Sequence, residues 1–187
     1  VDGSTASAYD VKVYIDGKLQ TTAKSTTGAT WYADDGLGIG NQHGHSGFWL
    51  GSIADVRLFN VELTAAQVLE LYQVPEQVLP TGVASSALKR FYPLSDYDIS
   101  GANNLGGLYL QDCSGNGKNL LAANSGMEFS QSGIPQLGLR SSSSRILFDE
   151  VQTMVTVAAN AAINGLFGSG GSFAFWVLPF SDGEGGS

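Results

Sequence analysis

Four groups of residues carry types and spacings that could do chemistry. Asp112, Ser114 and Asn116 place oxygens at alternating positions of a Gly-containing turn, which reads as a Ca²⁺ clasp of hard ligands or as an Asx-turn in which Asp112 caps nearby amides. Trp31 and Tyr32 stand beside Asp34 and Asp35, with Asn41 further on. Aromatic faces there would stack on pyranose C–H groups while the polar neighbours fix hydroxyls. Asp34, Asp35 and Asn41 are also a second, weaker set of cation ligands. His43 and His45 would share a face if extended, but no third metal ligand lies nearby in sequence.

Catalytic constellations are missing from the same inventory. A glycosidase needs two carboxylates set across the glycosidic bond, and Asp34-Asp35 are adjacent, so a strand would send them to opposite faces. Gly44-His45-Ser46-Gly47 has Phe48 where a nucleophile elbow needs Gly. Gly36, Gly38 and Gly40 lack the spacing and βαβ setting of a dinucleotide loop. The chain reads as no enzyme.

Composition narrows the partners. A net charge of −8 repels nucleic-acid backbones and anionic membranes, yet suits neutral sugars and divalent cations. Cys113 is the single cysteine, so no intrachain disulfide forms. No stretch approaches the length of a membrane span, so no membrane insertion is expected. The chain opens at Val1 without Met and reads as a piece excised from something longer.

The elements that must position these residues are mostly strands. Val11–Ile15 and Lys18–Thr22 flank Asp16-Gly17, a hairpin signal. Leu37–Gly40 is a short strand, and 48–59 is a long apolar stretch whose alternation puts Asp55 and Arg57 on one face. Thr64 and Gln67 form a capping box, Val68, Leu69, Leu71 and Tyr72 follow at helical spacing, and Pro75 stops one short helix near 65–73. Residues 74–87 read as a linker. Strands then return at 88–94, 107–111, 119–122, 145–148, 154–157 and 172–179, with a brief helical turn expected at 158–167. Trp49 and Trp176 sit in apolar alternating strands and are expected in the core. The pattern predicts an all-β antiparallel sandwich, a jelly roll.

Val13-Tyr14-Ile15-Asp16-Gly17, Gly38-Ile39-Gly40, Gly51 to Asn60 and Leu63 to Gln67 resemble the closing half of a laminin-G-like/concanavalin A-like module. Phe91-Tyr92-Pro93-Leu94, Asp112 to Gly117 and Ser172 to Pro179 resemble its opening half. The halves stand in permuted order: 1–73 closes, 74–87 links, 88–187 opens. They are expected to form one composite sandwich, circularly permuted within the chain or swapped between chains as a strand-exchanged homodimer. The resemblance implies a non-catalytic lectin-like or adhesive module of a larger extracellular, cell-surface or virion protein, with a glycan or a surface protein as partner. A structural repeat of a tandem array is the alternative, and a glycoside hydrolase the remote one. No cofactor is expected beyond Ca²⁺ at Asp112.

Overall fold

In the computed structural model the described residues are 9–10, 12–20, 25–26, 37–40, 49–94, 99–102, 108–122, 128–130, 145–149, 155–157 and 170–179. The strands run β1 (Tyr9–Asp10), β2 (Tyr14–Ile15), β3 (Lys18–Leu19), β4 (Ser25–Thr26), β5 (Leu37–Ile39) and β6 (Leu50–Phe59). Helix α1 (Ala65–Gln73) and a 3₁₀ turn (Ser85–Ala87) follow. Next come β7 (Leu88–Tyr92), β8 (Ile99–Ala102), β9 (Leu108–Leu110), β10 (Leu120–Ala122), β11 (Glu128–Ser130), β12 (Arg145–Asp149), β13 (Val155–Val157) and β14 (Ser172–Pro179). One five-stranded sheet has the order β5-β13-β10-β9-β8. The other has β11-β12-β6-β14, with β7 also on β6, and β1-β4 and β2-β3 form separate pairs. Among the described residues every pairing is antiparallel. Among the described residues no helix is long and apolar enough to cross a membrane.

Strand β6 organises the second sheet. Its run Leu50-Gly-Ser-Ile-Ala-Asp-Val-Arg-Leu-Phe59 is buried from Gly51 onward, because both of its edges and both of its faces are covered. β14 lies along one edge from Ser172 opposite Phe59 to Pro179 opposite Gly51. The opposite edge is shared: β12 pairs with Leu50–Ile53, and β7 pairs with Val56–Phe59. Strands from before and after the helix therefore lie in a single hydrogen-bonded sheet.

The long strand contains one irregularity. Ala174 faces Arg57, but Trp176 faces Ala54, so β6 spends an extra residue there. That residue is Asp55, at φ 58, and its N–H donates to Pro93 O at 3.1 Å. A short polar side chain tolerates the left-handed region better than a branched one, and a bulge lets the strand twist without losing its ladder.

Helix α1 starts where the sequence places it. Thr64 Oγ1 accepts from Gln67 N–H at 3.3 Å, and Gln67 Oε1 accepts from Thr64 N–H at 3.0 Å. Its inner side puts Leu71, with Leu63 ahead of it, against Phe59, Leu88 and Phe91 of the sheet. Full burial of such side chains is worth roughly 1.5–3 kcal/mol apiece, so this cluster anchors the helix more strongly than its caps do.

The segment between helix and β7, read from sequence as a linker, is tied back onto α1. Thr81 donates to the Glu70 carboxylate from its hydroxyl (2.6 Å) and its N–H (2.9 Å), and Gln77 Nε2 donates at 2.8 Å. Those bonds, the Thr81 hydroxyl's first, hold the Glu70 carboxyl below its ordinary pKa. Val78, Leu79 and Val83 pack against the helix-side core.

Candidate functional site

The hairpin β2–β3 turns through Asp16 (φ 51) and Gly17 (φ 72), positive at both central positions as a type I′ turn requires. Glycine is needed twice over at 17. A Cβ there would come within 3.0 Å of Leu69 Cδ1 and 3.1 Å of Tyr72 Cβ, so the turn rests directly on α1.

Seated this way, the hairpin faces β14 across a cleft of about 380 Å³. One wall is Val13 to Gly17, the other is Ser172 to Val177, and Val68, Leu71 and Tyr72 close it from the helix side. Tyr72 and Trp176 stack with ring centroids 5.6 Å apart. Asp55 and Arg57 also line the cleft, paired at 2.7 Å, with side chains only 3% and 2% exposed. Arg57 Nη2 further donates to Pro75 O at 2.9 Å, and the guanidinium lies 5.2 Å from the Phe91 ring centroid. The walls are largely apolar, and the buried ionic pair is held by its mutual contact and by the Pro75 carbonyl.

The Asp112 turn has a different geometry. Asp112 Oδ1 accepts from the N–H groups of Phe91 (3.1 Å) and Ser114 (3.0 Å), and Oδ2 accepts from Lys118 N–H at 3.1 Å. The bond to Ser114 makes this an Asx-turn. Ser114 Oγ donates to Lys89 O at 3.2 Å, and Asn116 Nδ2 donates to Leu88 O and Lys89 O, both at 3.1 Å. The turn thus clasps β7, and Tyr92 Oη completes it by donating to Lys118 O at 2.8 Å. Burial, then the nearby Asp112 charge, push the Tyr92 phenol above its ordinary pKa. Among the described residues no group of three or more His, Cys, Asp or Glu is placed to hold a metal ion.

Three amides on one buried carboxylate imply a large structural role. Asp112→Ala is expected to destabilise the fold by about 3 kcal/mol or more, since hydrogen bonds to a charged group are worth roughly 1.5–3 kcal/mol each. Urea unfolding followed by tryptophan fluorescence measures the loss. A change below about 1 kcal/mol would contradict the role assigned to the turn.

Of the residues singled out in sequence, Asp112, Ser114 and Asn116 are brought together as one turn. Trp31, Tyr32, Asp34, Asp35 and Asn41 lie outside the described residues, as do His43, His45 and the expected helical turn at 158–167. Trp49 and Trp176, expected in the core, are both only half-buried. Trp176 packs on Ala54 and stands at the cleft. The cleft itself was not foreseen. Its parts were visible as a hairpin, a helix and a strand, but nothing local says that the hairpin lies across from β14.

Residues 1–69 match the laminin G family model of the concanavalin A-like lectin/glucanases superfamily. No curated protein and no solved structure matches the chain.

Proposed function

We propose that this chain is a non-catalytic, carbohydrate-binding module of a larger extracellular, cell-surface or virion protein, in which the portions 1–73 and 88–187 complete one permuted sandwich. The observation that carries the reading is the sharing of β6: the last strand of the lectin-family segment is flanked by β14 on one edge and by β7 on the other. A half-sandwich on its own would expose a strand edge and an apolar face. The pairing within one chain supports a complete recognition scaffold, and sugar stacking on aromatic side chains is the chemistry such a scaffold offers.

The ligand residues of this reading are Trp31 and Tyr32 as platform, with Asp34, Asp35 and Asn41 as hydroxyl partners. A glycan array probed with and without Ca²⁺ tests it. Saturable binding to an oligosaccharide is expected, weakened about tenfold or more in Trp31→Ala, which corresponds to roughly 1.4 kcal/mol of lost stacking. Folded protein that binds no glycan under either condition overturns the proposal.

A further inference from the structure

The cleft over the β6–β14 face is aromatic as well as apolar. Alternation along β14 turns Ala174 and Trp176 to the helix side, where Ala174 packs against the cluster of Phe59, Leu63 and Leu71. Trp176 stacks on Tyr72 with 20° between the ring planes, and Tyr14 lines the same cleft from the hairpin. All three aromatic residues are half-buried, so none is wholly packed away. The charges of the walls reduce to one. Asp55 and Arg57 offset each other at 2.7 Å, which leaves the exposed Asp16 carboxylate at the hairpin tip. Lys18, across the turn, is exposed and does not line the cleft, and Lys12 pairs with Glu62.

We infer that this cleft is a binding site for a small organic ammonium ion, held by the aromatic side chains of Tyr14, Tyr72 and Trp176 with the Asp16 carboxylate countering its charge. The face of an aromatic ring carries negative potential and attracts a cation within about 6 Å of its centroid. Alkyl groups on the nitrogen suit the apolar walls, Val13, Ile15, Val68 and Leu71 among them, where a hydrated metal ion finds too few oxygens. A sugar needs several convergent polar side chains, and an anion would meet Asp16 in a chain of net charge −8. An uncharged apolar molecule fits the walls but gains nothing from Asp16. The volume of about 380 Å³ lies within the range of small-molecule sites, roughly 300–1,000 Å³.

The probe is choline, titrated into the whole chain beside neohexyl alcohol, the uncharged molecule of the same shape in which carbon replaces the nitrogen. Ionic strength is held constant with sodium chloride, and binding is followed by the NMR shifts of the Tyr14, Tyr72 and Trp176 ring protons. Choline should bind about tenfold or more tightly than the alcohol. Asp16→Asn keeps the turn, since asparagine tolerates the φ of 51 and Asn-Gly favours the same turn type. It should weaken choline about threefold or more and leave the alcohol unchanged. Tyr14→Leu, which keeps apolar bulk and removes the ring, should do the same. Choline that fails to saturate these shifts below about 10 mM overturns the inference, as does equal affinity for the alcohol. Choline affinity unchanged in both variants overturns it too. No readout involves Trp31 or a glycan, so failure here is distinguishable from failure of the carbohydrate-binding reading.

Discussion

Arg57→Met is expected to lower the unfolding free energy by about 3–5 kcal/mol, the range for removing one member of a buried ion pair. The arginine is 1% exposed and holds three separate parts of the fold. It pairs with Asp55 at 2.7 Å across the bulge, donates to Pro75 O beyond the helix, and lies over Phe91 of β7. Methionine keeps most of the stem, so packing loss is small and the deficit reports the charge and its hydrogen bonds. What remains is an Asp55 carboxylate, 3% exposed, that has lost its cation. The double variant Asp55→Asn with Arg57→Met removes both charges, and asparagine still tolerates the φ of 58 at that position. It should be more stable than Arg57→Met alone. Guanidinium unfolding of the four species closes the cycle, and strictly additive losses would show that the two groups do not act as a pair.

The shared face of Asp55 and Arg57 was legible in the sequence from strand alternation, but their ion pair was not. Also legible were the Asp16-Gly17 turn, the Thr64 capping box with its helix at 65–73, and β14 at 172–179 with the same limits. All of these are set by residues within a few positions of one another. β8 at Ile99–Ala102 and β11 at Glu128–Ser130 were not legible: Ile-Ser-Gly-Ala and Glu-Phe-Ser have almost no alternation, and their pairing with β9 and β12 selects them. The bulge at Asp55 likewise leaves no local trace, because it exists only relative to the partner strand. Pro, Gly and Ser between 74 and 87 give a linker composition, yet two residues of it, Gln77 and Thr81, supply the three donors that converge on Glu70. The two tryptophans show the same limit. Apolar alternation locates Trp176 on a strand, but its position at the cleft, stacked on Tyr72 and packed on Ala54, depends on contacts far away in sequence.

Gly51→Ala carries the other large effect, and it acts on the sheet that unites the front and rear of the chain. Gly51 stands at φ 140, where side chains are rarely found, between β12 and the end of β14. A Cβ at this position would fall 2.3 Å from Leu178 O and 2.9 Å from Pro179 Cα, both backbone atoms that no rotamer change relieves. β14 would have to move outward at Leu178–Pro179, breaking the ladder on that side of β6. The cost is expected to reach about 3 kcal/mol or more, combining backbone strain with lost pairing. Gly115→Ala provides the internal comparison. Its φ is 86, also in the positive region, but a Cβ there meets nothing within 4 Å. It should cost only the conformational part, roughly 1–2 kcal/mol. Thermal and urea unfolding of both variants separate the two contributions. If Gly51→Ala proved no worse than Gly115→Ala, the close approach of β14 to β6, and with it the single shared sheet, would be refuted.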